Sequence, residues 1–368
     1  MREQKYMELA IELAEKGCGF VAPNPMVGAV IVKDGEVIGK GYHHKYGGLH
    51  AERDALKNCT QNSNGSVMYV TLEPCCHHGK QPPCVEAIAE AGIKKVVIGS
   101  QDPNPLVAGK GIRYLKEQGI EVITDFLKME CDKLNYVFFY YIQTKLPYVV
   151  MKYAMTMDGK IATYTGDSKW ITGNYARNQV HKDRHRYTGI MTGIGTILAD
   201  NPLLTCRMEG GKNPIRIICD SSLRTPLNSQ IVRTANKVPT IIATCEENST
   251  RIAEYKKRGC EILVLPSKEN RVDLNKLMEM LGEKEIDSIL MEGGSTLNWS
   301  AMQSGIVNRI QAYVAPKIVG GVGAKSPIGG KGVIEMSQAI HLKNSIVSNL
   351  GTDFLIESEV EKNVYRDN

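Results

Sequence analysis

"VMYVTLEPCCHHGKQPPCVEAIAEAGIKKVVIG" (residues 67–99) runs from one apolar stretch through a cysteine-rich loop into a second. "VMYVTL" and "KKVVIG" read as strands, and "CVEAIAEAG" between them reads as a helix ending at a glycine. A strand–helix–strand unit of about thirty residues makes a parallel pair. The enclosed loop crowds Cys75, Cys76, His77, His78 and Cys84 among prolines, a composition that no core-forming segment needs.

On the N-terminal side lies "VGAVIVKDGEVIGKGY" (27–42), two apolar runs about Asp34-Gly35, the pair that favours a type I′ hairpin turn. A helix is expected at about 50–58. On the C-terminal side a Pro-rich loop, "DPNPLVAGKG" (102–111), leads to another helix and the strand "IEVIT" (120–124). This order predicts a layered α/β sheet, mostly parallel after its first hairpin. "LKMECDKLNYVFFYYIQ" (127–143) reads as helical until "TKLP" interrupts it, which places a domain boundary near 145. The second half starts afresh with the strand "PYVVMKYAM" (147–155). It continues with β-rich runs "PIRIICD", "PTIIATC", "CEILVLP", "IDSILME" and "RIQAYVAPKIV", and with helices expected at 174–186, 272–282 and 295–304. Two α/β domains follow, 1–145 and 146–368, as a chain of 368 residues leads one to expect.

Hydrophobic residues at 42% and charged residues at 23% describe a folded, water-soluble chain. "MREQKYMELAIELAEKG" has the spacing of an amphipathic helix, not of a signal peptide, and no apolar run is long enough to span a membrane. A cytoplasmic location without membrane contact is expected. Ten cysteines are too sparse for a disulfide scaffold. The charge of +5 is uneven: residues 1–146 carry 17 basic and 17 acidic side chains, so the whole excess lies in the second half. That suits an anionic small ligand there, and it counts against nucleic acid as a partner of the first half.

His50-x-Glu52 in "GGLHAERDAL" and Pro74-Cys75…Cys84 together supply an imidazole, two thiols and a carboxylate. Zinc favours such N/S ligands, and three protein ligands leave its fourth position for water, the mark of a catalytic site. Zinc would bring that water's pKa toward neutrality, and Glu52 would carry protons to the substrate's ring nitrogen and leaving group. Cys76, His77 and His78 are candidates for a fourth ligand, which would make the ion structural instead; Glu52 favours catalysis. Residues i and i+2 do not share a helix face, so His50 and Glu52 must sit at a helix start, where the preceding glycines let the chain bend. Cys84 opens its own helix after Pro82-Pro83 and would feel the positive helix end. The zinc-deaminase signature is H-x-E…P-C-x-x-C. Here eight residues separate the cysteines, so prolines and Gly79 are expected to hold the longer loop.

The second half lacks the G-x-G-x-x-G fingerprint. It has instead "IDSILMEGGSTLNWSAM", a strand, two glycines and a helix start, and "TGIGTILADNPLLTCR", with a similar arrangement at Gly193-Ile194-Gly195. Glycine turns at helix starts cradle phosphate, and two of them in a basic domain point to a dinucleotide.

"NPMVGAVIV", "GYHHKYGGLHAE" and "LEPCCHHGKQPPC" resemble the deaminase domain of the bifunctional riboflavin-biosynthesis deaminase–reductases. "VVMKYAMTMDGKIAT", "SKWITG", "GIGTILADNPLLTCR" and "MEGGSTL" resemble their reductase domain, and the likeness spans nearly the whole chain in family order. The resemblance implies an N-terminal cytidine-deaminase-like three-layer domain and a C-terminal dihydrofolate-reductase-like domain. The first would release the 2-amino group of 2,5-diamino-6-ribosylamino-4(3H)-pyrimidinone 5′-phosphate as ammonia. The second would reduce the ribosyl group to ribityl with NADPH. One zinc ion on His50, Cys75 and Cys84 is implied, with Glu52 as proton shuttle and Asn24, His43, His77 and Lys80 lining the substrate pocket. NADPH contacts are implied at Ala154, Trp170, Thr196, Asp200 and Ser222. They continue through Gly294, Ser295, Thr296, Leu297, Asn298, Trp299 and Ser300. The ribosyl-phosphate substrate falls to Ser168, Arg184, Leu204, Arg207 and Glu292, with Lys152 beside it. Arg184 and Arg207 offer planar forks for phosphate. Cys76 departs from the serine usual in the family loop, a change that bears on substrate contacts and not on zinc. A homo-oligomer, dimer or tetramer, is expected.

Overall fold

Asp34 and Gly35 both take positive φ, 51° and 83°, as a type I′ turn requires. They join β1 (Gly28–Lys33) to β2 (Glu36–Tyr42) in an antiparallel hairpin, preceded by helix α1 (Gln4–Glu15). The structure is a computed structural model and describes residues 3–78 and 81–361. The chain divides into two units, Met1–Lys145 and Leu146–Asn368.

In the first unit α2 (Ala51–Lys57), β3 (Val67–Leu72), α3 (Cys84–Glu90), β4 (Lys95–Ser100), α4 (Lys110–Glu117) and β5 (Glu121–Ile123) follow the hairpin. The sheet order is β2-β1-β3-β4-β5; β3, β4 and β5 run parallel and β1 lies antiparallel to β3. Its strands read as continuous apolar runs because both faces are covered. Ala29, Ile31, Met68, Val70, Val96 and Ile98 face α2, α3 and α4. The alternate residues Val30, Val32, Tyr69 and Val97 face Met7, Ala10 and Leu13 of α1. The unit ends in α5 (Lys128–Leu134) and α6 (Tyr136–Thr144). The sequence reads 127–143 as one helical stretch; Asn135 breaks it. Its side chain accepts from the Met26 amide at 2.8 Å and donates to the Met26 carbonyl at 2.9 Å, so its backbone leaves the helix.

The second unit contains β6 (Tyr148–Thr156), α7 (Asn174–Arg186), β7 (Gly189–Gly193), α8 (Ile194–Asp200), β8 (Ile215–Cys219) and α9 (Gln230–Arg233). Next come β9 (Thr240–Thr244), α10 (Ser249–Lys256), β10 (Cys260–Val264) and a small hairpin, β11 (Ser267–Lys268) with β12 (Arg271–Val272). Then follow α11 (Leu274–Glu283), β13 (Ser288–Met291), α12 (Ser295–Gln303), β14 (Val307–Ala315), β15 (Leu342–Leu350) and β16 (Asp353–Val360). Nine strands form one sheet in the order β10-β9-β8-β7-β13-β6-β14-β16-β15, parallel from β10 to β14 and antiparallel beyond. The chain leaves β7 toward β8 on one side and leaves β13 toward β14 on the other. The carboxyl ends of β7 and β13 therefore flank a topological switch point, where open α/β sheets bind ligands. Sequence patterning did not single out β7, β15 or β16. β15 is an edge strand with almost no buried residue, so its side chains show no core alternation.

Candidate metal centre and nucleotide crevice

His50 is the N-cap of α2 in extended conformation (ψ 157°), and Glu52 is the second residue of that helix. This is how residues two apart reach one centre: the backbone turns helical between them. Gly47, with φ 76°, makes the bend before it. Cys84 is the first residue of α3, and its amide bonds the Cys75 carbonyl at 3.0 Å and the Cys75 thiol at 3.4 Å, which draws the two cysteines together. The long loop between them is held by a residue that sequence reasoning missed. Arg53 donates to the carbonyls of Pro82 (3.2 Å) and Pro83 (2.8 Å), pinning the loop to α2. A cation beside His-Ala-Glu was the available signal.

His50 Nδ1 lies 3.4 Å from Cys75 Sγ and 3.4 Å from Cys84 Sγ. Tetrahedral zinc, with its usual bond lengths, separates a nitrogen and a sulfur ligand by about 3.5 Å. The donor set fits that ion. Among the described residues His50, Cys75 and Cys84 are the one group so clustered. None of the three candidates for a fourth ligand joins it. Cys76 Sγ donates to the Leu106 carbonyl at 3.8 Å, His78 is exposed and 3.9 Å from Glu86, and His77 Nδ1 is buried without a partner.

The centre is charged in a way that suits a cation. The Cys84 thiol donates to Cys75, which with His50 beside it brings Cys75 down to about 4 against the opposing effect of burial. Cys84 keeps its proton because it shares it with Cys75 and is buried. The Cys75 thiolate raises His50 above its usual value despite burial. Glu52 is only 4% exposed, and burial pushes its carboxyl to about 7, with the charge of Cys75 adding to the effect. Zinc needs both thiolates and a neutral imidazole. Metal loading at pH 7 is therefore expected to release roughly one proton or more per ion, and affinity to weaken as pH falls through the His50 transition. Calorimetry in two buffers of different ionisation heat measures the release; proton uptake would contradict this ligand set.

Asn24 and His43 stand next to the ligand loop. His43 Nδ1 donates to the Leu49 carbonyl at 2.8 Å, which leaves Nε2 to accept from the Asn24 amide at 3.2 Å. Burial lowers the His43 pKa, which favours this neutral tautomer. Lys80 lies outside the described residues. Glu73, not singled out by sequence, is buried and accepts from the amides of Asp102 (3.4 Å), Gly109 (3.1 Å) and Ile112 (3.2 Å). It ties the Pro-rich loop to the strand that leads into Cys75. Asp102 in that loop is buried, and burial raises its carboxyl to about 6.

In the second unit the glycine turns after β7 and β13 lie side by side. A side chain at Gly193 would come within 3.7 Å of Leu297, and one at Gly294 within 3.7 Å of Thr196. The two helix starts thus face each other beside the switch point, where backbone amides can meet a dinucleotide's phosphates. Residues 326–330 cover the start of α12: Ser295 donates to the Ser326 carbonyl, and Asn298 Nδ2 donates to the Pro327 carbonyl at 2.9 Å. Those side chains are engaged there. Trp170 is 63% exposed under the Arg177 guanidinium (4.6 Å), Asp200 and Ser222 are exposed, and Ala154 and Ser168 are half-buried.

Beside these helix starts, Glu292 receives both prongs of Arg184, at 2.7 and 2.9 Å, and Lys152 Nζ lies 4.0 Å away. Burial would raise Glu292, but Arg184 and Lys152 overcome it and hold the carboxylate at about 2. Burial lowers Lys152 against the pull of Glu292. The Nε–Nη2 edge of Arg184 is thus occupied; its Nη1 reaches the Thr205 carbonyl at 3.0 Å and orders the loop carrying Leu204 and Arg207. Arg207 is exposed, the fork open to a phosphate. Buried Arg216 braces the same loop through the Leu203 carbonyl (3.3 Å).

Residues 147–356 match the family described as the RibD C-terminal domain, and residues 1–100 match the cytidine and deoxycytidylate deaminase zinc-binding region. The riboflavin biosynthesis protein RibD of Actinobacillus pleuropneumoniae is 54% identical over 97% of this chain and 95% of its own length. That of Bacillus amyloliquefaciens is 42% identical over 95% and 94%. Among solved structures, Acinetobacter baumannii RibD superposes with a TM-score of 0.87 at 35% identity, covering 98% of this chain and 99% of its own. A Thermotoga maritima diaminohydroxyphosphoribosylaminopyrimidine deaminase/5-amino-6-(5-phosphoribosylamino)uracil reductase gives 0.87 at 38% identity over the same shares. With its cytidine-deaminase-like first unit and reductase-like second, the chain belongs to the RibD family of riboflavin-biosynthesis enzymes, which join a zinc-binding deaminase to an NADPH-using reductase.

Proposed function

We propose that residues 1–145 deaminate 2,5-diamino-6-ribosylamino-4(3H)-pyrimidinone 5′-phosphate and that residues 146–368 reduce the product's ribosyl group, giving 5-amino-6-(5-phosphoribitylamino)uracil. The observation that carries the first half is the His50–Cys75–Cys84 triangle with buried Glu52 beside it. Zinc, when bound by these three, brings a water's pKa toward neutrality. Glu52, uncharged or charged near pH 7 with little cost, takes one proton of the attacking water to the ring nitrogen, then carries the added hydroxyl's proton to the amine, which leaves as ammonia as the carbonyl forms. Asn24, oriented by His43, and His77, whose ring nitrogen lacks a partner, hold the pyrimidine, and its phosphate is assigned to Lys80.

In the second half NADPH, when bound, would supply hydride to C1′ of the ribosyl group, whose bond to the ring oxygen breaks as that oxygen takes a proton. Gly294 and the first amides of α12 would hold its pyrophosphate, with Thr196 facing them. Ala154, Trp170, Asp200, Ser222 and the segment to Ser300 contact the rest of the cofactor. Glu292, fixed by Arg184, orients the ribose hydroxyls, with Lys152 beside it. Ser168, Leu204 and Arg207 bind the remainder, Arg207 taking the 5′-phosphate.

We also infer a homo-oligomer, dimer or tetramer. Leu342, Ile346 and Val347 on edge strand β15 are 45, 59 and 63% exposed, an unpaired apolar edge of the kind proteins cover. A cytoplasmic location is supported by ten free cysteines. Among the described residues no helix is long and apolar enough to cross a membrane.

The test is to supply the diaminopyrimidinone phosphate with and without NADPH. Ammonia is expected in both cases, and NADPH oxidation is expected to follow it. Oxidation without prior ammonia release would reverse the assigned order.

A further inference from the structure

Lys152 and Tyr313 lie on neighbouring parallel strands, β6 and β14. Gln311 is the direct partner of Lys152, and Tyr313 stands two residues further along on the same face. The Lys152 ammonium sits 5.4 Å from the centre of the Tyr313 ring and 4.0 Å from Glu292. Tyr313 is fully buried, and its hydroxyl donates to Asp183 Oδ2 at 2.9 Å. Asp183 is itself buried, and Gln179 Nε2 donates to its other oxygen at 3.2 Å. Ala176 and Val180 of α7 cluster with Tyr313, so the helix that carries Asp183 also packs on the phenol. Two adjacent residues of α7 thus reach two sides of one ammonium: Arg184 holds Glu292, and Asp183 holds Tyr313.

The charges explain why one carboxylate is not enough. Glu292 already takes two bonds from Arg184, so two cations share it. Burial lowers the Lys152 pKa; Glu292 opposes that, Arg184 adds to it, and Asp183 opposes it in turn. Asp183 is the second anion, and it acts through the ring. A phenol that donates to a carboxylate gains negative charge on its face, where a cation is drawn. Burial raises Asp183 to about 6 against the bonds from Tyr313 and Gln179, with Glu357 adding to the rise and Arg186 opposing it. It is therefore mainly charged at pH 7 and above. Glu357, on β16, accepts from Gln311 Nε2 at 3.1 Å. His181, on α7, is held below its usual value by burial and then by Arg184 and Arg207, and adds no third cation there.

We propose that Asp183 and Tyr313 are positioning residues of the reductase: the carboxylate fixes the phenol, and the face of its ring carries the Lys152 ammonium beside Glu292. This rests on the reading that puts Lys152 in the reductase substrate site.

The test is the pH profile of NADPH-dependent reduction, measured on deaminated substrate with the full chain. Asp183→Asn keeps the shape and an acceptor for the phenol and removes only the charge. The basic limb, where Lys152 loses its proton, is expected to move down by roughly one pH unit. Tyr313→Phe keeps the ring and removes its bond to Asp183, and the limb is expected to move in the same direction. Either variant alone reads the limb should the other fail to fold. A merely structural role would lower the rate by one factor at every pH, so a limb that stays in place would overturn the proposal. Reduction that survived Lys152→Met would instead overturn the placing of Lys152 on which the proposal rests.

Discussion

Glu52→Gln is expected to lower ammonia release by about 10²- to 10⁴-fold or more while zinc content stays at one ion per chain. The two side chains have the same shape, so the buried position beside Cys84 stays filled and the ligand triangle undisturbed. What disappears is a group that exchanges protons. Glu52 is tuned for that exchange: burial and the neighbouring thiolate bring its carboxyl to about 7, where donating and accepting cost nearly the same. NADPH-dependent reduction of deaminated substrate serves as the internal control and is expected to be unaltered. A variant that kept zinc and also kept ammonia release would remove Glu52 from the mechanism.

Cys84→Ser is expected to abolish zinc binding and deamination together. A serine hydroxyl does not ionise near neutrality, so it replaces a thiolate donor with a weakly binding neutral oxygen. The site cannot compensate, because Cys84 is fully buried at the start of α3 and no fourth protein ligand is clustered nearby among the described residues. Reduction is expected to survive, since Cys84 belongs to a unit with its own two-faced core. Metal analysis and the two separate assays check this. Loss of reduction alongside deamination would contradict the independence of the two halves.

The metal centre was legible in the sequence because its chemistry is local. His50 and Glu52 sit two apart, Cys75 and Cys84 bracket one loop, and the glycines and prolines announce the bends that bring them in. The same holds for the Asp34-Gly35 turn and for α7, α11 and α12, whose residue patterns are their own cause. Partners chosen over long distances were not legible. Arg184 reads as a planar fork for phosphate until Glu292, 108 residues away, takes its guanidinium. Glu73 and Arg53 look like ordinary surface charges until the fold brings backbone amides and carbonyls to them. Asn135 ends a helix for a carbonyl and an amide 109 residues earlier. Periodicity records which face a residue shows, not which distant polar group meets it, and an edge strand such as β15 offers no periodicity at all.

Anomalous scattering at the zinc edge from crystals of the purified protein tests the central claim most directly. One peak per chain is expected within bonding distance of His50 Nδ1, Cys75 Sγ and Cys84 Sγ, with its remaining position open to solvent and Glu52 facing it. A fourth protein ligand closing that position, or a zinc ion held elsewhere, would contradict a hydrolytic centre here.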